Sequence, residues 1–223
     1  MPLTRDQANY LFAVMRLGPG AELALINGRD GEWRARVAEA GKRGGLLACL
    51  EQMRPLTMPP DLWLLFAPVR KARTDFIVEK AAEMGARRIL PVQTDFSQAD
   101  RIRQDRLQAH AIEAAEQCGN TFVPEVAPLQ PLAALLDGWD AGRSLMWCDE
   151  SLADGADGGV QEPPVACGAV LIGPAGGFSA AERARLRGLP WSRPTRLGPR
   201  ILRADTAAVA ALTLWQLRHG DWQ

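Results

Sequence analysis

Apolar and polar positions follow two different rhythms along this chain, and the change of rhythm divides it. The first part holds short, partly alternating stretches, AELALING, RDGEWRARVAEA and RGGLLACLEQM, separated by glycine-rich turns. Alternation over such lengths predicts the half-buried strands of a small sheet or barrel, and NGRDGE predicts a hairpin connection. Ahead of them, TRDQANYLFAVMRLGPG predicts a short helix to about Leu17. Thr4 with Gln7 three residues on makes a capping box, and Gly18-Pro19-Gly20 stops the helix. RPLTMPPD carries three prolines and no period, which places a domain boundary near residues 55–61.

Beyond it the runs lengthen. LWLLFAPV and RRILPV read as buried strands, with TDFIVEKAAEMGA between them as a helix capped by Thr74 and ended before Gly85. DRLQAHAIEAAEQCG sets Leu107, Ala111, Ala114 and Cys118 on one helical face and stops at Gly119. SLMWC and AVLI are further strands. Ser179 and Glu182 form a second capping box, TRLG reads as a strand ending at Gly198-Pro199, and a last helix follows with Asp205 or Thr206 as its cap. Val209, Ala210, Leu212, Leu214 and Trp215 make that helix apolar over most of its surface, so it belongs in the core or a subunit interface. Strands alternating with helices predict a mainly parallel α/β sheet. Only SLADGADGGVQEPP, residues 151–164, has the composition of a flexible loop.

Composition narrows the class without naming it. Twenty-six basic and twenty-six acidic residues in 223 cancel, so there is no overall cationic signature of a nucleic-acid binder. The longest apolar run, in 206–217, is too short to span a bilayer, and no signal-peptide pattern is visible; a cytoplasmic protein without a membrane partner is expected. Four scattered cysteines and two histidines offer neither a disulfide framework nor a metal site. Charge placement says more. Seven arginines and no acid lie between Arg183 and Arg203, while seven acids and one base lie between Asp137 and Glu162. RKAR at 70–73 is a second basic knot. Such runs are usually solvated faces, but two of them also suit a local polyanion-binding surface.

Two loops could hold a ligand. In AVLIGPAGGFSAAE a buried strand enters Gly173, Pro174, Gly176 and Gly177 before a helix, and open α/β sheets bind ligands at such strand ends. A tight turn needing positive φ explains the glycines equally well. The spacing is neither G-x-G-x-x-G nor a P-loop, and no ribose-binding acid follows, so a dinucleotide is disfavoured. In RLGPRILRADTAAVAALTLW, Arg200 and Arg203 lie against an apolar helix. Buried arginine must be paired or meet an anion; either they pair with Asp205 or another carboxylate, or they point into a site.

LIGPAGGFSAAE followed by LGPRILRADTAAVAAL resembles the bacterial 16S ribosomal RNA (uracil-N3)-methyltransferases of the SPOUT superfamily. The resemblance extends through EKAAEMGARRILPV, IEAAEQCG, VPEV, QANYLFAVMRLGPG and NGRDGEW, covering nearly the whole chain. It implies a SPOUT-type trefoil-knotted α/β domain over 60–223, preceded by a PUA-like β-barrel over 1–56 that helps grip RNA. It further implies S-adenosyl-L-methionine as cofactor, a homodimer with the last helix near its interface, and 16S ribosomal RNA or the small ribosomal subunit as partner. The loop backbones at Leu171, Ile172, Gly173, Pro174, Gly176, Gly177, Leu197, Gly198, Pro199, Ile201 and Leu202 are then expected to hold the cofactor. Two departures stand out. Ala175 replaces the acid of the family's usual G-P-E-G-G, and a short strand with an arginine usually precedes QANYL, so either the start codon is misassigned or the barrel lacks an edge strand.

Uridine N3 carries a proton at neutral pH, and once it leaves, charge spreads onto the ring oxygens. Arg203 first and Arg200 second are assigned to stabilise that charge, with Thr206 as a hydrogen-bond partner. No side chain offers itself as general base. Arg16, Arg34, Arg36, Lys71 and Arg73 are candidates for phosphate contacts, against a solvated-surface alternative for each. A catalytically weakened RNA-binding or assembly factor is the rival reading, suggested by Ala175.

Overall fold

The computed structural model describes residues 1–41, 43–152 and 165–222; the loop expected to be flexible lies almost wholly outside the described residues. The chain forms two compact units, one of residues 1–58 with 119–122 and one of 59–118 with 123–223. The inclusion of 119–122 in the first unit has no signal in the local pattern.

In the first unit the Thr4–Gln7 capping box opens α1 (Arg5–Ala8). The helix then widens into a π-turn over Asn9–Val14 instead of running on to Leu17. Its exit bonds reach back five and six residues, Met15 N–H to Tyr10 O and Leu17 N–H to Leu11 O, both 2.9 Å. That wide turn brings Leu11, Phe12 and Leu17 together over a small core with Ala35, Val37 and Leu47. The core rests on an antiparallel sheet of β1 (Glu22–Ile26), β2 (Glu32–Gly41) and β3 (Gly44–Arg54) in that order. Three register shifts interrupt the β2–β3 ladder, each bending the strands more sharply. Residues 1–3 lie along β3, with Leu3 N–H on Gly45 O at 3.0 Å and Leu47 N–H on Met1 O at 2.9 Å.

The second unit is an α/β domain whose sheet ladders are all parallel. Its elements run β4 (Asp61–Phe66), α2 (Lys71–Glu83), β5 (Arg88–Gln93), α3 (Gln104–Gln117), β6 (Glu125–Val126), β7 (Gln130–Pro131) and α4 (Leu132–Asp137). There follow β8 (Ser144–Cys148), a 3-10 turn over Glu150–Leu152, β9 (Cys167–Ile172), α5 (Ala180–Gly188), β10 (Ser192–Thr195) and α6 (Ala204–His219). The sheet order is β10-β8-β9-β4-β5-β6, with β7 on the end of β5. Thus β9 enters between β4 and β8, and the connections change direction there.

Strand side chains alternate between faces. Leu62, Leu64 and Phe66 of β4 pack under α2, α3 and α6, while Leu65, with Leu145, Trp147, Leu171 and Phe178, packs under α4 and α5. The apolar last helix is a core helix: Ala208, Ala211, Leu212 and Trp215 are buried, and the Trp215 indole lies where a Cβ on Gly168 would be. Positive φ at Gly85 and Gly119 ends α2 and α3 where expected.

Four local expectations are corrected. Thr74 does not cap α2, which starts at Lys71; its hydroxyl accepts from Val69 N–H and donates to Val69 O, both at 3.0 Å, and so fixes the entry of the chain. Cys118 is exposed at the end of α3, and Ala115 takes the buried place. TRLG is not a strand: β10 ends at Thr195 because its partner β8 ends at Cys148, leaving no ladder to continue. Finally, Arg203 holds the N-cap position of α6 without a side-chain cap bond, while the Asp205 carboxylate accepts from Thr206 N–H at 3.1 Å.

Candidate functional site

A parallel sheet presents all its carboxyl ends on one side, and a change of direction leaves a crevice between the diverging loops. In this chain the segments after β4, β8, β9 and β10 enclose a cavity of about 400 Å³ together with the first turns of α2 and α6. The two glycine-containing loops singled out from the sequence are neighbours on its wall.

The first loop leaves β9 at Ile172. Phe178 is buried, and a Cβ on Gly173 would approach its ring to 3.0 Å. Gly177 has φ +70°, donates its N–H to Pro174 O at 2.9 Å, and sits so close to Glu150 that a Cβ there would overlap the carboxylate. The glycines make a tight turn, and Gly173 and Gly177 present main chain to the cavity. Ser179 and Glu182 close the predicted capping box. Asp95 N–H donates to Glu182 Oε1 at 2.9 Å, and Ser179 Oγ lies 2.5 Å from Asp95 Oδ2.

The second loop, 196–203, turns at Gly198 with φ +101°. Leu197 and Leu202 reach inward to the core, whereas Ile201 is 74% exposed. Arg200 and Arg203 both lie on the cavity wall and are exposed; no carboxylate among the described residues pairs with either. Asp205, the partner suggested by the sequence, faces Arg73 at 3.6 Å instead. Arg73 also lines the cavity, and Lys71 is exposed at the start of α2.

Of the remaining candidates, Ile172, Gly173, Pro174, Gly177, Leu197, Gly198, Ile201 and Leu202 line the cavity. Leu171 does not: its side chain is in the core on the opposite face of the sheet. Gly176 faces Phe96, Pro199 is off the wall, and Thr206 is exposed on the first turn of α6 away from it. In the first unit, Arg34 pairs with Glu51 at 2.7 Å and Arg36 with Glu22 at 2.7 Å. The Arg36 hydrogen bond holds the Glu22 carboxyl below the usual range. Arg16 is exposed with φ +58°.

Sequence reasoning missed most of the opposite wall: Val69 and Gln98 beside Arg70 of the basic knot on one side, Cys148 at the end of β8 with Asp149 and Glu150 just after it on the other. The strand-end rule applied to every strand, not only those followed by glycine, would have found them. Burial, reinforced by the Glu150 charge, pushes the Cys148 thiol up to about 12, so it stays protonated and unreactive. The Asp149 side chain is fully buried and accepts from Arg187 Nη2 at 2.7 Å, with Arg183 Nε at 3.6 Å. Arg183 also pairs with Glu150, and Arg185 pairs with Asp137 at 2.6 Å. Among the described residues no His, Cys, Asp and Glu group could hold a metal, and no helix is long and apolar enough to cross a membrane.

Apolar side chains beside exposed main chain and a cationic rim suit a partly apolar ligand with polar ends, presented to an anionic partner. Comparison with known proteins points the same way. Residues 57–216 match the model of an RNA methyltransferase domain, and residues 3–47 that of an RNA methyltransferase PUA domain. A ribosomal RNA small subunit methyltransferase E from Rickettsia conorii is 26% identical over 92% of this chain and 84% of its own length. Its namesake from Synechocystis is 28% identical over 94% and 70%. The crystal structure of that enzyme from Neisseria gonorrhoeae, bound to S-adenosyl methionine, has the same fold: TM-score 0.87 at 24% identity, covering 100% of this chain and 93% of the other. A Legionella pneumophila structure in complex with bound SAM matches at TM-score 0.85 and 27% identity, covering 99% and 93%.

Proposed function

From the premise that the chain belongs to the RNA methyltransferase family, with the PUA domain of that family at its N-terminus, we propose that it methylates N3 of a uridine in small-subunit (16S) ribosomal RNA, using S-adenosylmethionine. The observation that carries this reading is a pair of guanidinium groups, Arg200 and Arg203, that no carboxylate among the described residues engages, on the wall of a cavity built from two glycine loops. The residues fit the cofactor. Ile172, Leu197 and Leu202 offer apolar surface, and Gly173, Gly177 and Gly198 bring main-chain N–H and C=O groups within reach without intervening side chains. When bound, the cofactor supplies an electrophilic methyl group.

The chain's own residues do the rest. Uracil N3 attacks well only once its proton has left, and the resulting charge is shared by the flanking ring oxygens. Arg203, at the head of α6, donates to one of those oxygens, and Arg200 supports it from the loop. Fixed donors at the place where charge develops lower the barrier without reorganisation. Thr206, off the cavity wall, is given no direct part in the reaction. Solvent takes the proton, since Cys148 is protonated and both Asp149 and Glu150 are engaged by arginines.

Arg16, Lys71 and Arg73 are assigned to phosphate contacts, with Arg34 and Arg36 able to join only by exchanging Glu22 and Glu51 for phosphate. The assembly is a cytoplasmic homodimer, and the knotted threading implied by the sequence resemblance holds the two loops together. Ala175, on the cavity wall, supports the rival of an RNA-binding assembly factor. Calorimetry with S-adenosylmethionine separates the two, because the rival predicts no heat of binding. The decisive test is nucleoside mass spectrometry of ribosomal RNA from cells with and without this protein. A 3-methyluridine peak that depends on the protein is expected, and no difference refutes the assignment.

A further inference from the structure

Asp149 and Glu150 directly follow β8, and the arginines that hold them come from α5, the helix that the first glycine loop feeds. Glu150 lies beneath Gly177, at the point where the loop reverses. It is bound by Arg183, and both side chains are largely buried, at 27% and 28% exposure. Asp149, wholly buried, ties Arg183 and Arg187 to the same strand end and is itself bonded to Ser151, whose hydroxyl donates at 2.7 Å. From the other side, Asp95 grips the loop exit through Ser179 and the Glu182 carboxylate. Phe178 wedges the middle, edge-on to Trp147 with ring centroids 5.6 Å apart.

We infer that the Glu150–Arg183 pair is a latch that positions the Gly173–Phe178 loop for cofactor binding, with Arg183 acting through Glu150. This rests on the proposed function and adds to it a residue that does not itself line the cavity. Main-chain recognition demands such a device. A loop with three glycines loses much backbone entropy on ordering, and affinity rises when that ordering is completed before the ligand arrives. A partly buried charge pair braced by a second, fully buried carboxylate is stiff enough to do this, whereas an exposed pair is not.

The test uses the full-length protein, with calorimetry against S-adenosylmethionine and steady-state methylation of ribosomal RNA. Arg183→Met is expected to raise the cofactor Kd about tenfold by restoring the loop's freedom. KM for the cofactor should rise more than kcat falls, while KM for RNA stays within twofold. Arg183→Lys should recover most of the affinity. Glu150→Gln, which keeps the side chain's shape, should weaken the cofactor in the same direction, and the double variant should bind no worse than the weaker single one. Because Glu150→Gln is measured independently, misfolding of Arg183→Met leaves the test intact. Unchanged cofactor affinity in folded variants, or additive losses in the double variant, overturns the latch alone. Absence of cofactor binding to the unaltered protein overturns the latch together with the functional reading beneath it.

Discussion

The arginines of α5 and those of the loop ahead of α6 belong to one uninterrupted basic run, yet they live in opposite circumstances. Arg183, Arg185 and Arg187 each meet a carboxylate, Glu150, Asp137 and Asp149 respectively. Arg200 and Arg203 meet none among the described residues and stand on the cavity wall. Sequence clustering therefore says little about which cation serves binding. What separates the two groups is the pairing of Asp137, Asp149 and Glu150, which is with α5 and, among the described residues, with neither Arg200 nor Arg203.

This contrast can be pressed in four ways. The largest effect belongs to the unpaired class. Arg203→Ala should lower single-turnover methyl transfer by about 10²–10³-fold, the usual loss for one donor at a developing oxyanion, while cofactor Kd by calorimetry changes less than twofold. Next comes the paired class. Arg187→Ala strips a fully buried carboxylate of its nearer partner and should cost about 3 kcal/mol of stability in urea unfolding, with the turnover of the molecules that remain folded nearly intact. A reversal of these two outcomes would erase the distinction.

Smaller effects sharpen it. Replacing Arg36 by Ala removes an arginine already satisfied by Glu22, so RNA affinity in filter binding should drop by less than about threefold, against a larger drop for Arg73→Ala. The smallest concerns acid. Partial burial raises the Asp61 carboxyl, but the hydrogen bond and charge of Arg143, with Arg87 further off, outweigh it and hold the group below the ordinary range. A depressed folded value means stability that is present above the unfolded carboxylate pKa of about 3.9 and is lost as pH falls through the folded value. Urea midpoints between pH 3 and pH 6 should therefore slope less steeply in Asp61→Asn than in the unaltered protein.

Much of the architecture was readable from local pattern. The buried strands β4, β5, β8 and β9, both capping boxes and the glycine stops of α2 and α3 all stand where periodicity and cap chemistry put them. The failures share a cause. Thr74, β10, Cys118 and the head of α6 depend on what a neighbour in space does: Val69, the end of β8, the packing of Ala115, the pull of Arg73 on Asp205. Arg34 and Arg36 are of the same kind, because the β1–β2 register that sets Glu22 opposite Arg36 is invisible in either strand alone. On the cavity, both glycine loops were legible because glycine there answers a steric need. Val69 and Gln98 were not, since nothing in their own segments marks them.

The insertion of β9 has a price in time. Asp61 pairs with Cys167 and Phe66 with Ile172, so the central ladder joins segments about a hundred residues apart, and contacts of that separation form slowly. Until β9 arrives, β4 and β8 are bare edges open to neighbouring chains. Without β9 the cavity would also lack the wall formed by Ile172 to Gly177, so methyl-donor affinity would report completion of the sheet.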